Sequence, residues 1–215
     1  DEFGEPVHGS QYRDLFSNGP KECLEFPDYT FDDHFGKPIP SFPPREVLFD
    51  YLQGYWNFHG VKKEDVLTRH VVRNVSFDDK TATFTVRARN LVQGLDIEQE
   101  FDRLIVASGH FSVPNVPHFE GIETFEGRAM HSHDLRNARE FTGKRILVIG
   151  SSYSAEDISL QLFKFGAEQI TISYRTAKMG FKWPEKIHEV PLLIKIEGKT
   201  CHFKDGTSGD YDAII

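Results

Sequence analysis

The sequence contains little cysteine and has no excess of basic residues. Its two cysteines, Cys23 and Cys201, lie far apart and have the spacing of neither a disulfide framework nor a zinc site. A reducing cytoplasm is therefore the expected compartment. Lysine and arginine total 25 against 33 aspartate and glutamate residues, for a formal net charge of −8. Proteins that bind nucleic-acid backbones need a clustered basic excess, so no nucleic-acid partner is expected.

Long hydrophobic runs are also missing. No segment approaches the ~20 apolar residues that a membrane helix needs, so no membrane span is expected. The first residues, 1–4, lack the basic and apolar regions of a signal peptide. Phenylalanine, in contrast, is common at 19 residues, which is typical of a chain that packs against flat apolar surfaces or an aromatic ring system.

The first half of the chain predicts loops, one helix and an antiparallel β-meander. Residues 1–42 show little periodicity, and a helix is expected from Pro43-Pro44 with an apolar stripe that begins at Val47. Residues 81–89 alternate between apolar and polar side chains, which predicts a half-buried antiparallel strand paired with 71–77. A further strand is expected at 101–106.

The second half contains the clearest unit, a strand, a helix and a second strand. Residues 146–149 form a continuous apolar run, the type found in buried parallel strands. A helix is expected to reach about Phe165 and to end at Gly166. The second strand covers 169–174. This arrangement is a βαβ unit.

The turn between the first strand and the helix, residues 150–155, fits G-x-G-x-x-G/A at its first and last positions. Gly150 permits the sharp turn, and Ala155 is small enough for close packing of the helix on the sheet. Ser152 replaces the middle glycine, and its hydroxyl can bond a phosphate instead. The helix start would face a pyrophosphate. Ser154 and Asp157 have the spacing of a capping box, which predicts a helix start at that point.

The end of the second strand indicates which dinucleotide binds. NAD sites place an acidic residue there to hold the ribose 2′-hydroxyl, whereas this chain has Arg175 and Thr176. A guanidinium can bind the 2′-phosphate of NADP through two hydrogen bonds, and the threonine can add a hydroxyl. The alternative is that Arg175 is a solvated charge at a strand end. Arg175 follows the glycine turn at the sequence distance of the residue that contacts the ribose in such units, and this favours NADP.

Three sets of residues resemble the flavin-containing monooxygenase family. Residues 125–131 are similar to its FxGxxxH fingerprint, 107–109 to its ATG signature, and 17–22 to the segment whose asparagine lies beside the flavin. The turn at 150–157, with 173–176 and 182–185, is similar to the bacterial trimethylamine monooxygenase branch.

The resemblance implies a fold, two cofactors and a reaction. The fold class is α/β: a Rossmann-like flavoprotein with two dinucleotide-binding domains and the antiparallel β-meander. The cofactors are FAD and NADPH. Tyr153, Ser154, Arg175 and Thr176 would contact NADP, and Asn18 would lie beside the flavin. In the family, NADPH reduces FAD, O2 adds to give a flavin hydroperoxide, and one oxygen passes to a soft nitrogen or sulfur in an amine or thioether such as trimethylamine.

The family pattern also predicts that this chain is a middle section. Members place a glycine-rich FAD turn before the segment similar to 17–22, and a second ATG-like signature beyond the segment similar to 213–215. We therefore expect 1–117 to be a partial FAD-binding domain and 118–215 an NADPH-binding domain that is incomplete at its C-terminus. The section alone would be inactive and would not hold FAD tightly.

Other interpretations remain. A Baeyer–Villiger-type monooxygenase, which inserts oxygen beside a ketone, is compatible with the Gly150 turn, and so is a nucleotide-binding module without turnover. The pair His131 and His133 has no third ligand nearby in the sequence, so no metal is expected. The sequence leaves a homodimer open.

Overall fold

The computed structural model describes residues 1–109 and 111–215, which divide into two units. One unit comprises Asp1–Val7 with Ser17–His110, and the other His8–Phe16 with Phe111–Ile215. The segment 8–16 therefore belongs to the second unit, although the chain on both sides of it belongs to the first. The boundary at 117/118 and the cofactor assigned to each domain stay predictions.

The described residues of the first unit form two α-helices and one antiparallel sheet. Its elements are α1 (Phe31–Phe35), α2 (Arg45–Phe58), β1 (His70–Asp78), β2 (Thr83–Asn90) and β3 (Leu95–Phe101). Helix α2 starts directly after Pro44, as predicted, and buries Tyr51 from its apolar stripe. The hydroxyl of Tyr51 accepts a hydrogen bond from the Phe26 amide at 2.8 Å.

The β-meander is confirmed, with one correction. β2 pairs with β1 and with β3, both antiparallel. The strand predicted at 101–106 is wrong, because β3 ends at Phe101 and residues 102–109 form no strand. In the register of β2 with β3, Arg87 lies opposite Glu98 and forms an ion pair with it at 3.0 Å. Ile105, which would be inside that strand, is 87% exposed.

The second unit is built on a five-stranded parallel sheet. Its elements are β4 (Arg128–Ala129), β5 (Arg145–Ile149), α3 (Tyr153–Lys164), β6 (Gln169–Ser173), β7 (Ile187–Val190), β8 (Leu193–Glu197), β9 (Thr200–Phe203), β10 (Ser208–Asp210) and β11 (Ala213–Ile214). The order of the parallel sheet is β4-β11-β5-β6-β7, and α3 connects β5 to β6. A separate three-stranded antiparallel sheet has the order β10-β9-β8. The βαβ unit and the α/β fold class are confirmed.

Both faces of β5 are covered, which explains its continuous apolar sequence. Ile146 and Val148 belong to a core cluster that includes Ile158 and Leu162 of α3. Leu147, on the opposite face, belongs to a second cluster with residues of β8 and β9. A central parallel strand buried on both sides needs no polar face.

None of the helices in residues 1–109 and 111–215 combines the length and the apolar character needed to cross a lipid bilayer.

Candidate functional site

A cavity of about 560 Å³ lies in the second unit, where β5 and β6 end and α3 begins. Ile149 of β5 is paired with Ser173 of β6 in parallel register, so both strands end at the same edge of the sheet. The turn after β5 and the loop after β6 therefore lie side by side. In open α/β sheets this edge is where ligands bind.

Gly150 makes the turn out of β5 in a conformation that requires glycine. Its φ of +131° is one that residues with a Cβ rarely adopt, whereas a Cβ built there would meet no atom within 4 Å. Its amide donates to the Ser173 carbonyl at 3.0 Å, which ties the turn to β6. The predicted role of Gly150 in turning the chain is therefore supported by backbone conformation, not by crowding.

Ser152 is the N-cap of α3, and its side chain makes no capping hydrogen bond. The first helical bond is from the Glu156 amide to the Ser152 carbonyl at 3.1 Å. The amides of the first turn point out of a helix end without helical acceptors, and the helix dipole favours an anion there. Since the Ser152 hydroxyl does not bond these amides, they are available to a ligand.

The capping box predicted at Ser154 and Asp157 is wrong, because the helix has already begun at Tyr153. Asp157 lies inside the helix, and its Oδ2 is buried with no hydrogen-bond partner in the part of the chain that the structure describes. Burial removes water from this carboxylate and raises its pKa above the ordinary value.

Arg175 lines the cavity two residues after the end of β6. It is the only lysine or arginine among the described residues of the lining. Its side chain is exposed, and within residues 1–109 and 111–215 no carboxylate forms an ion pair with it. The guanidinium is therefore free to bind an anion in the cavity.

The structure brings together five of the eight residues predicted for the site. Gly150, Ser152, Ser154, Ala155 and Arg175 all line the cavity. Tyr153 is 74% exposed, and neither it nor Thr176 is among the described lining residues.

Asn18, the eighth, lies in the first unit, in an exposed bend. The Ser17 hydroxyl holds this bend, because it donates to the Gly19 carbonyl at 2.7 Å and accepts from the Gly19 amide at 3.2 Å.

The cavity is also lined by residues that the sequence did not indicate as part of the site. They include Asn115, Phe119, Met130, His131 and Ser132. His131 closes the FxGxxxH motif, so the motif was the available signal for this part of the lining. Its Nδ1 accepts a hydrogen bond from the His133 amide at 3.0 Å. In the described part of the chain, no three His, Cys, Asp or Glu side chains gather as metal ligands would.

The residues of the cavity fit NADP. A glycine at positive φ, amides at a helix start and a hydroxyl that caps nothing suit a pyrophosphate. Arg175, which has no ion-pair partner among residues 1–109 and 111–215, lies at the adjacent strand end and suits the 2′-phosphate.

Comparison with known proteins places this geometry in a family. The model of the flavin-binding monooxygenase-like family matches residues 2–183. Trimethylamine monooxygenases from Methylocella silvestris and Roseovarius nubinhibens are each 56% identical over the whole chain. The crystal structure of Tmm from Pelagibacter sp. superposes with a TM-score of 0.94 at 51% identity, and all of this chain is covered.

The chain spans 48% of the length of each of these three relatives. Members of the family use FAD and NADPH, the two cofactors that the sequence predicts. The chain belongs to the flavin-binding monooxygenase-like family.

Proposed function

We propose that the full-length protein is an NADPH- and FAD-dependent monooxygenase that oxygenates a soft nitrogen or sulfur atom, with a tertiary amine such as trimethylamine as the preferred class. The observation that carries the proposal is the cavity that joins the Gly150 turn to Arg175. The names of the 56% identical relatives support the choice of an amine.

The adenosine half of NADPH would be held at two points. Its pyrophosphate would lie over Gly150 and the first turn of α3, where the amides, the Ser154 hydroxyl and the helix dipole favour negative charge. The small side chain of Ala155, 6% exposed, keeps the helix close to the sheet beneath it. The Ser152 hydroxyl, which makes no capping bond, would donate to a phosphate oxygen.

Arg175 would bind the 2′-phosphate, the only group that distinguishes NADPH from NADH. Two parallel hydrogen bonds from a planar guanidinium match a phosphate well. Thr176 would add its hydroxyl from the same loop. Tyr153, which is exposed at the first helical position, would cover the cofactor from the solvent side.

The first unit would contribute to FAD binding, with residues 1–117 forming part of the FAD domain and 118–215 the NADPH domain. Bound flavin supplies the electron transfer and oxygen activation. The chain supplies binding, orientation and exclusion of water. Asn18 would be a polar anchor beside the flavin, and no side chain of this chain is needed as a nucleophile.

Two further expectations accompany the proposal. Both cysteines are free, one exposed and one buried, which agrees with a reducing cytoplasm. A homodimer stays a prediction.

The proposal is tested by following NADPH and O2 consumption by the full-length protein with trimethylamine, a thioether and a cyclic ketone. Amine oxygenation converts NADPH, a proton, O2 and the amine into NADP⁺, water and the N-oxide. We expect N-oxide at close to one equivalent per NADPH. A lactone from the ketone without N-oxide would indicate a Baeyer–Villiger enzyme. NADPH binding without consumption would indicate a nucleotide-binding module.

A further inference from the structure

The loop that follows β6, residues 174–186, contains Arg175, and we call it the Arg175 loop. Its first residue is held by β7, at one end of the parallel sheet, because the Tyr174 amide donates to the Val190 carbonyl at 3.0 Å. The amides of 175–178 make no hydrogen bond within the described part of the chain. The bond at Tyr174 fixes where the loop leaves the sheet, and its path through Arg175 depends on the next fixed point.

The next fixed point is Met179, four residues after Arg175. Its amide donates to Oε1 of Glu189, in β7, at 2.7 Å. Its side chain packs against the core cluster that includes Ile158 and Leu162 of α3. The Arg175 loop is therefore hydrogen-bonded to β7 on both sides of Arg175, and the second attachment comes from the side chain of Glu189.

Glu189 lies on the face of β7 that also carries Ile187, since side chains two residues apart in a strand share a face. Ile187 is buried in the same core cluster that Met179 contacts. Glu189 is half-buried, and a carboxylate that has lost part of its water needs a donor. The Met179 amide supplies that donor. An apolar side chain would suit the packing of this face, so the bond to the loop accounts for the carboxylate at residue 189.

We propose that Glu189 is a positioning residue for Arg175: by binding the Met179 amide, it holds the Arg175 loop in the path that presents the guanidinium to the 2′-phosphate of NADPH. This inference rests on the proposed function, in which Arg175 binds that phosphate. Neither Glu189 nor Met179 is among the described lining residues of the cavity, so their effect on a bound dinucleotide is indirect. Without the bond, the backbone beyond Arg175 gains freedom that phosphate binding must remove again. The loss should therefore fall on NADPH and spare NADH.

The test is a pair of titrations of the full-length protein, with NADPH and with NADH, and the quantity compared is the Kd for NADH divided by the Kd for NADPH. Glu189→Met removes the acceptor at similar volume and should lower this ratio about threefold to tenfold, the range of one ordinary hydrogen bond. The Kd for NADH should stay within about twofold. If the methionine variant does not fold, Glu189→Ala, in which water can reach the freed amide, should give the same fall.

Glu189→Gln is the matched control, because it keeps an Oε1 acceptor and removes the same negative charge as Glu189→Met. It should retain the ratio of the parent within about twofold. An equal fall in Glu189→Gln and Glu189→Met would show that the charge of residue 189, and not its bond to the loop, acts on the cofactor. That result would overturn the proposal.

Asp205→Ala controls for a general loss of stability. Oδ1 of Asp205 accepts from the Thr207 amide at 3.0 Å, which is the same kind of bond in the turn between β9 and β10. Neither residue is among the described lining residues of the cavity. This variant should leave the ratio unchanged whatever its Tm. A fall as large as that in Glu189→Met would show that the ratio follows stability, and it would overturn the positioning role.

A double-mutant cycle distinguishes failure of the positioning role from failure of the proposed function. If Glu189 acts through Arg175, adding Glu189→Met to Arg175→Ala should change the ratio by less than about twofold. A further fall of about threefold in that background, or an unchanged ratio in Glu189→Met alone, would overturn the positioning role and leave Arg175 in its proposed place. An unchanged ratio in Arg175→Ala alone would remove Arg175 from the 2′-phosphate, and the positioning role with it.

Discussion

Replacing Arg175 by alanine should weaken the binding of NADPH far more than that of NADH. Arg175 is the only lysine or arginine among the described residues of the cavity lining. NADH lacks the 2′-phosphate that this side chain would bind. The variant should therefore lose its discrimination between the two cofactors while its affinity for NADH hardly changes.

The expected size follows from the environment of the side chain. A hydrogen bond between charged groups contributes about 1.5–3 kcal/mol when both are shielded, but Arg175 is exposed and solvent weakens its contacts. We therefore expect the Kd for NADPH to rise about fivefold to thirtyfold, below the hundredfold of a buried pair. The guanidinium has no ion-pair partner in the described part of the chain, so its removal should barely affect the Tm.

The assay is a pair of fluorescence titrations, NADPH and NADH, with the parent and the variant at one ionic strength, because salt screens such contacts. Lys178→Ala is the matched control: it removes a positive charge from the same exposed loop, and Lys178 is not among the described lining residues. Equal losses for both cofactors would mean that Arg175 supports the fold or the shared part of the nucleotide. No loss for either would make it a solvated surface charge.

Three further predictions concern single residues. Gly150→Ala should lower the Tm more than Gly143→Ala. Both sites have space for a Cβ, but φ is +131° at Gly150 and +69° at Gly143, and the first value is the less accessible to alanine. Equal losses of Tm would contradict this argument. Burial raises the pKa of Asp157, so the ionised side chain opposes folding. Asp157→Asn should therefore raise the Tm at pH 7. This gain in Tm should vanish below about pH 4, where aspartate is protonated in both the folded and the unfolded state. A gain that persists in acid would contradict this. Burial also raises the pKa of Cys201 to about 12, so iodoacetamide at pH 8 should label Cys23 and spare Cys201 in peptide maps; labelling of both in the native protein would contradict it.

The parts of the fold that were predictable are those in which neighbouring residues carry the signal. The apolar run 146–149, the glycine turn and Gly166, two residues after the last residue of α3, specify a βαβ unit within thirty residues. Alternation at 81–89 predicts a strand for the same reason. The spacing of apolar residues along an element shows directly whether one face or both faces are buried.

The errors arise where the deciding contacts are distant in sequence. β3 is polar at Glu98 and Glu100, and what makes it a strand is its pairing with β2, including the ion pair between Arg87 and Glu98. The apolar residues at 104–106 indicated a strand that has no partner in the described chain. The segment His8–Phe16 has no periodic pattern, and it is held by Arg136, Arg139 and Gln161, more than 120 residues away.

The candidate site shows the same division. Gly150 and Arg175 were predicted because the turn and the strand end have fixed places in a βαβ unit. The helix start was misplaced, since Ser152 and Ser154 are equally good N-cap residues and only the backbone shows which one caps. The lining residues Met130, His131 and Ser132 come before β5 in the sequence, and β4, which precedes them directly, joins the sheet by pairing with β11.

The central claim is that this cavity binds NADPH, and a crystal structure of the full-length protein with NADP⁺ tests it most directly. We expect the pyrophosphate over Gly150 and the first turn of α3, with the Arg175 guanidinium within 3.2 Å or so of the 2′-phosphate oxygens, a hydrogen-bond distance. A dinucleotide bound elsewhere, or bound here with its 2′-phosphate in solvent and away from Arg175, would contradict the claim.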